Sequence, residues 1–252
     1  MTAPALLLAK EFTDQNPVGM WMSEKLDGVR AFWDGSRFLS RDGNEFVAPE
    51  WFKKDLPQTP LDGELWAGRG NFGKTLSKVR AARGDWTGLL YVVFDAPACN
   101  LPFEARQDHL RATLPNVPHV LLLEQERVES VAAMQAELAR VEALGGEGLM
   151  LRAPGSKYVG VRSATLLKVK TFHDAEAVVV GYEGGKGRHA GRMGAAVCRL
   201  PNGIEFSVGG GWSDKMRDDP PAIGTTITFK YQELTPKGKP RFNSFLRVHT
   251  PV

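Results

Sequence analysis

Ser23-Glu24-Lys25-Leu26-Asp27-Gly28-Val29-Arg30 is the stretch from which the rest of this chain is read. A lysine stands between two carboxylates, an Asp-Gly pair follows, and an arginine comes five residues after the lysine. A single lysine of this kind is ordinarily a solvated surface charge. Its surroundings suggest more. From Met20 to Ser40 the residues read as short strands separated by turns, with Trp21–Lys25, Gly28–Trp33 and Arg37–Ser40 as strands. Asp34-Gly35 between alternating apolar residues predicts a type I′ hairpin, which demands positive φ, and Arg41-Asp42-Gly43 repeats the turn. Lys25 then falls at the end of a strand in antiparallel β structure, where its side chain can face a cleft.

Outward from that stretch, Leu61-Asp62-Gly63-Glu64-Leu65-Trp66 reads as another strand and Leu89–Asp95 as an apolar one. Phe103–Leu114 and Ser130–Leu144 read as helices. In the second, Val131, Met134, Leu138 and Val141 recur at three- and four-residue steps as a core stripe, and Gly145-Gly146 stops it. Gly148–Arg152 and Thr165–Lys170 are further strands. The second sends Lys168 and Lys170 to one face and Leu167 and Val169 to the other. Two ammonium groups on one face repel unless an anion or water lies between them. Beyond His173 the texture changes to short β segments with Gly-rich turns: Ala177–Tyr182, Ala195–Leu200, Ile204–Val208, Thr225–Tyr231 and Phe245–His249, with a short helix near Ser213–Asp218. About five strands in about 80 residues suit a small antiparallel barrel of the OB type.

The composition fits two such domains. With 252 residues, 42% hydrophobic and 24% charged, the chain can bury a sizeable core and resembles ordinary globular protein. No apolar run approaches the roughly 20 residues that span a bilayer. Cys99 and Cys198 lie far apart without metal-ligand spacing, which argues against a zinc site or a disulfide framework. Residues 1–172 carry 21 Lys+Arg and 21 Asp+Glu, and residues 173–252 carry 11 and 8, so the net charge of +3 lies in the last third. That part is the one suited to a polyanion.

In chain order, Lys25-Leu26-Asp27-Gly28-Val29-Arg30, Ser40-Arg41, Asp62-Gly63-Glu64, Val93-Phe94-Asp95, Glu147-Gly148 and Leu167-Lys168-Val169-Lys170 resemble the nucleotidyltransferase motifs of ATP-dependent DNA ligases, RNA ligases and mRNA capping enzymes. Trp33-Asp34-Gly35, Leu61–Trp66, Gly68-Arg69-Gly70 and the ending Pro240–Arg247 are similar to the minimal bacterial DNA ligases of the E type. The resemblance implies an α+β fold of two domains. Residues 1–172 would form an antiparallel-sheet-rich, ATP-grasp-like ligase adenylation domain, and residues 173–252 an OB-fold barrel. It further implies an ATP-dependent enzyme that uses Mg2+ or Mn2+, forms a lysyl-AMP intermediate on Lys25 and seals nicked duplex DNA.

Carried over by position, Lys168 and Lys170 would contact the α-phosphate and its leaving group, and as cationic neighbours would disfavour the charged form of Lys25. Glu24, Arg30, Arg41, Glu64, Phe94 and Glu147 would bind the nucleotide, with Phe94 stacked on adenine and Glu147 and Glu64 near the metal. Arg69 and Lys74, in an expected surface loop over Gly68–Gly73, would meet DNA phosphates. Lys186, Arg188 and Arg192 in the glycine-rich 184–194 segment would do the same, together with Arg247. The usual final Arg-x-Asp-Lys motif has no clear copy, and Arg241 and Arg247 stand in its place. No separate DNA-binding module precedes Lys25, so duplex binding is expected from these two domains, acting as a monomer. The opening residues lack a basic n-region and do not read as an intact secretory signal. The expected compartment is periplasmic if a signal has been removed and cytoplasmic otherwise.

Other readings remain. Gly68–Thr75 satisfies both G-x-x-x-x-G-K-[ST] and G-x-G-x-x-G, as in a P-loop NTPase with Asp95 as the magnesium acid. The short gap from Thr75 to Asp95 leaves little room for the β-α-β crossover of roughly 30 residues that such a fold needs. An RNA end-joining ligase, a GTP-using capping-type enzyme and a non-enzymatic nucleic-acid-binding protein are the further alternatives.

Overall fold

The computed structural model describes residues 3–81, 84–235 and 237–249. The chain divides into two compact units, Met1–Lys170 and Thr171–Val252.

The first unit holds, in order, β1 (Leu8–Glu11), β2 (Trp21–Glu24), β3 (Val29–Trp33), β4 (Phe38–Leu39), β5 (Glu45–Phe46), α1 (Glu50–Lys53), β6 (Leu61–Trp66), α2 (Phe72–Arg80), β7 (Leu90–Asp95), α3 (Phe103–Thr113), β8 (Val120–Leu122), β9 (Glu126–Arg127), α4 (Val131–Ala143), β10 (Leu149–Arg152) and β11 (Arg162–Val169). They build two sheets, of order β1-β11-β10-β2-β9 and β5-β4-β3-β6-β7-β8. Pairing is antiparallel except for β1 with β11 and β7 with β8. Those parallel pairs, which the hairpin-rich sequence pattern does not suggest, arise because α3 lies in the β7–β8 connection and the first strand joins the last of the unit.

In the first sheet the alternation of side chains is clean. Met22, Leu149, Leu151, Leu167 and Val169 form a core with Met134 and Val141 of α4. Their alternate neighbours Ser23, Met150, Arg152, Leu166 and Lys168 share the opposite face and line a cleft. Of the α4 stripe, Val131 is exposed because it occupies the first helical position, above the packed turn. Ser130 caps that helix, accepting from Ala133 N at 3.0 Å. Beneath the second sheet, Trp33, Phe38, Phe52, Trp86 and Tyr91 pack with Leu61 in an aromatic-rich core, with Phe38 and Tyr91 edge-to-face at 4.8 Å.

Two turns differ from expectation. Asp34-Gly35 is not a two-residue type I′ turn: only Gly35 has positive φ (103°), Asp34 N donates to Arg37 O at 3.1 Å, and the Asp34 carboxylate accepts from the backbone of Ser36 and Arg37. An Asx-capped loop of four residues therefore joins β3 to β4. Gly28 has no positive φ; a Cβ there would stand 2.4 Å from Leu65 O and 2.7 Å from Glu64 Cγ. Its hydrogen side chain is what lets the residues after Lys25 lie against β6.

The Gly68–Gly73 segment is a loop only as far as Asn71, because α2 starts at Phe72. Thr75 is buried and its hydroxyl donates to Asn71 O at 3.1 Å, while Asp95 is buried between two arginines. Neither side chain is open to a magnesium ion, which removes the P-loop reading.

The second unit holds β12 (His173–Gly184), β13 (Met193–Arg199), β14 (Glu205–Val208), α5 (Asp214–Asp218), β15 (Thr226–Tyr231), β16 (Glu233–Leu234), β17 (Pro240–Arg241) and β18 (Ser244–Val248). Its main sheet runs β14-β13-β12-β15-β18. A bridge between Gly210 and Ser244, with Phe245 N donating to Gly210 O at 3.0 Å, draws the two edges together around Phe206, Phe229, Trp212 and Phe245. Arg217 of α5 is buried and donates to the carbonyls of Met193, Gly194 and Gly209, tying the helix across the end of the sheet. Among the described residues, no helix is long and apolar enough to cross a membrane.

Candidate active site

The cleft of the first unit, about 250 Å³, takes its residues from both sheets. Cross-strand register sets its floor. Ser23 and Lys168 are both partners of Met150, and Trp21 and Leu166 are both partners of Arg152. Lys25, just past the end of β2, donates its backbone N–H to Gly148 O at 2.8 Å and so follows the same direction one row further. Arg30 of β3, opposite Glu64 of β6, and Phe94 of β7 line it from the second sheet.

At the Lys25 end, the Glu147 carboxylate bridges two ammonium groups. One oxygen accepts from Lys25 Nζ and the other from Lys170 Nζ. Burial pushes Glu147 up, but the two lysines outweigh it and hold its carboxyl below the usual range. Burial pulls the Lys170 ammonium down against the pull of Glu147, and Lys25 and Lys168 lower it further. Lys168 lines the cleft and pairs with Glu11 at 2.7 Å. The two strand lysines thus satisfy their mutual repulsion with separate carboxylates, Glu11 and Glu147, neither recognisable as a partner from local spacing.

Glu64 differs from both. Partly buried in the cleft wall, its carboxyl is pushed up to about 8 by desolvation, with Lys25 and Arg30 opposing and Glu147 and Asp62 adding to the rise. Arg30 is held bidentately by Asp62 at 3.0 and 2.6 Å and donates to Leu7 O at 2.9 Å; burial works against its charge, yet Asp62 keeps the guanidinium above its ordinary range. Tyr158 donates to the same Asp62 carboxylate at 2.7 Å. The Arg30 guanidinium lies 5.5 Å from the Phe94 ring centroid. Phe94 faces the cleft and belongs to none of the hydrophobic cores.

The remaining site expectations separate. Glu24 lines the cleft, but both its oxygens accept from Arg69, at 2.8 and 2.6 Å, so Arg69 is anchored beside the cleft. Arg41 lies outside it, exposed on a second groove that it shares with Arg30, Phe46, Leu76 and Arg80. Lys74 is exposed in the first turn of α2. In the second unit, Lys186, Arg188 and Arg247 are exposed, whereas Arg192 is tied to Asp214 at 3.1 Å and Asp218 at 3.5 Å. The cleft also contains residues that sequence reasoning passed over: Met150, Arg152, Phe103 and Gln125. The first two carry a usable signal, since they alternate on one face of the 149–152 strand. Tyr158, Phe103 and Gln125 arrive from loop and helix positions without periodic meaning.

The ordered motifs, with Lys25, Glu64, Phe94 and Lys168 converging on one cleft, have a counterpart among known families. Residues 5–170 match the ATP dependent DNA ligase domain, and residues 184–249 match the DNA ligase OB-like domain. The chain belongs to the ATP-dependent DNA ligases. It is an enzyme built from a nucleotidyltransferase-type ligase domain and an OB-like domain. Its relatives include a DNA ligase of Haemophilus influenzae, 38% identical over 245 residues, which cover 96% of this chain and 91% of the relative. Among solved structures, a Lig E DNA ligase superposes with a TM-score of 0.89 at 41% identity, covering 97% of this ligase and 98% of the other. A Chlorella virus DNA ligase-adenylate superposes with a TM-score of 0.57 at 25% identity, covering 100% and 99%.

Proposed function

We propose that this ligase seals 5′-phosphate/3′-hydroxyl nicks in duplex DNA through a covalent AMP on Lys25, with residues 1–172 acting as the adenylation domain and 173–252 as the OB domain. The observation that carries the reading is the placement of Lys25 at one end of the cleft, against a carboxylate that it shares with Lys170. The adenylated state of the Chlorella virus relative supports it.

Lys25 must attack as a free amine. Its nitrogen bonds to the α-phosphorus of ATP, the bond to the pyrophosphate oxygen breaks, and pyrophosphate leaves with the displaced electron pair. Glu147, hydrogen-bonded to Lys25 Nζ, is the group positioned to take the proton. Lys168 and Lys170 contribute fixed positive charge where negative charge develops on the phosphate. Arg30, immobilised by Asp62, holds the sugar-phosphate, and Phe94 stacks on the base. AMP then passes from Lys25 to the 5′-phosphate of the nick, and the 3′-hydroxyl displaces it. On the DNA side we assign phosphate contacts to Arg41, Arg69, Lys74, Lys186 and Arg188, and to Arg247 at the C-terminal end; Arg192, paired with Asp214 and Asp218, is assigned to holding the 184–194 segment.

The carboxylates of Glu64 and Glu147 interact, and Glu64 carries an energetic penalty for its charge, so the pair fits a divalent cation completed by substrate phosphates. No cluster of three or more metal-ligating side chains occurs among the described residues. Mg2+ or Mn2+ bound there supplies neutralisation of phosphate charge.

Incubation with ATP labelled on the α-phosphate and magnesium, followed by denaturation, tests the reading. Label is expected on the polypeptide and absent from Lys25→Ala. Unlabelled protein that releases only γ-phosphate would overturn it. Nicked DNA, nicked RNA and GTP, offered in parallel, distinguish DNA sealing from RNA end-joining and capping-type activity.

A further inference from the structure

Arg30 reaches the cleft with a guanidinium whose three nitrogens are used unequally. Nε donates to Asp62 Oδ1 at 3.0 Å, and Nη2 donates to Asp62 Oδ2 at 2.6 Å and to Leu7 O at 2.9 Å. Nη1 donates to no described residue. The side chain is 22% exposed and lines the cleft, so Nη1 is the nitrogen left for a ligand. A planar fork gripped at two nitrogens cannot turn the third independently. Where Nη1 points is therefore set by whatever fixes Asp62 and Leu7.

Both are fixed by one hydroxyl. Tyr158 donates to Asp62 Oδ2 at 2.7 Å, and its oxygen accepts from Leu7 N at 3.1 Å. The contacts close a ring that runs from Arg30 to Leu7, from Leu7 to Tyr158, from Tyr158 to Asp62 and from Asp62 back to Arg30. Asp62 is fully buried, so no solvent competes for its oxygens. Tyr158 is half-buried in the 153–161 connection between β10 and β11, which has its own anchors. Gly155 N donates to both oxygens of Glu104 at 3.2 and 2.9 Å, Ser156 O accepts from the buried Arg106 at 2.8 Å, and Leu8 N donates to Val161 O at 3.1 Å. The hydroxyl thus passes the rigidity of that segment to Asp62 and Leu7. Tyr158 itself does not line the cleft.

We propose that Tyr158 is a positioning residue for ATP binding: its hydroxyl holds Asp62 and Leu7, and through them aims Arg30 Nη1 at the nucleotide. The inference rests on the reading above in which Arg30 holds the sugar-phosphate. Without the hydroxyl, Asp62 keeps Arg30 as its one side-chain donor among the described residues, and the pair can swing together. Arg30 meets the nucleotide before and during the attack of Lys25 alike, so loosening it falls on ATP binding and leaves the rate at saturation.

The test measures equilibrium ATP binding, Lys25 adduct formation over a range of ATP concentrations, and Tm, on wild type, Tyr158→Phe, Arg30→Gln and the double variant. Tyr158→Phe keeps the ring and should weaken ATP binding roughly 5- to 10-fold, raising KM for the adduct by a similar factor with kcat within about twofold. Arg30→Gln should weaken binding at least as much, and adding Tyr158→Phe to it should cost nothing further. Additive losses, or a Tyr158→Phe protein of lowered Tm with wild-type ATP affinity, overturn the proposal, since either shows the hydroxyl acting on the fold alone. Arg30→Gln that binds ATP as wild type does overturns it together with the role given to Arg30. If Tyr158→Phe does not fold, the wild type decides: its Tyr158 hydroxyl proton should give a slowly exchanging NMR signal that shifts on addition of ATP, and a missing or unmoved signal overturns the proposal. Binding losses as expected in a protein that forms no adduct would instead refute the lysyl-AMP reading and leave the role of Tyr158 standing.

Discussion

Glu64 and Glu147 stand within electrostatic reach of each other yet carry opposite shifts. Two lysines hydrogen-bond to Glu147, whereas Glu64 has only the longer-range pull of Lys25 and Arg30 against its burial. The Glu64 carboxyl, ordinarily near 4.5, is pushed to about 8 in the folded protein, so between those values the folded chain holds a proton that the unfolded chain has lost. Its contribution to stability is therefore full below about pH 4.5 and declines as pH rises through about 8. Glu64→Gln, neutral throughout, should gain stability relative to wild type as pH rises from 6 to 8, and the gap should level off beyond. Urea unfolding of both proteins across that range checks the slope; a pH-independent gap would show that Glu64 is not protonated when folded.

Two glycines show how the same substitution acts oppositely on different elements. At Gly28, a Cβ would collide with the backbone oxygen of Leu65 and the stem of Glu64, and the strand carrying Arg30 would have to lift off β6. Gly28→Ala should destabilise by about 1–3 kcal/mol, lowering Tm, and should weaken ATP binding because Arg30 moves with its strand. Gly73, in the first turn of α2, is exposed with nothing within 4 Å of a Cβ and no positive φ. Gly73→Ala should stabilise by about 0.5–1 kcal/mol. Thermal melts of the two variants should shift in opposite directions. The turn at Asp27-Gly28 is legible as an Asp-Gly pair, but local sequence does not reveal that close approach, rather than φ, demands the glycine, because the colliding atoms belong to a strand some 40 residues later.

At the scale of the molecule, the proposed duplex binding would rest on cations that remain free to release counterions. Lys186 and Arg188 are exposed on the glycine-rich segment, so neutralising either should reduce the salt slope of nicked-DNA affinity by roughly 1. Arg192, from the same segment, spends its guanidinium on Asp214 and Asp218 of α5. Arg192→Gln should change that slope less and instead loosen the segment, seen as faster amide exchange over 184–194. Equal slope changes for all three variants would count against this distinction.

The order of the motifs, the alternation in 165–170, and the Gly-rich β texture after His173 sufficed to announce an α+β ligase with an OB-like part. Strand period and turn chemistry are local properties, written in neighbouring residues. What the tertiary structure alone decided is the partnership of charges: Glu147 with Lys25 and Lys170, Glu11 with Lys168, Glu24 with Arg69, Asp62 with Arg30 and Tyr158. It also removed Arg41 from the cleft and brought in Arg152 and Gln125. Each of these pairings joins residues from separate segments of chain, and a charge is steadied or penalised by whatever folding sets within a few ångströms of it. Lys25 is thus readable from sequence as the residue to watch, while the groups that surround its ammonium are known only once the sheets have closed around it.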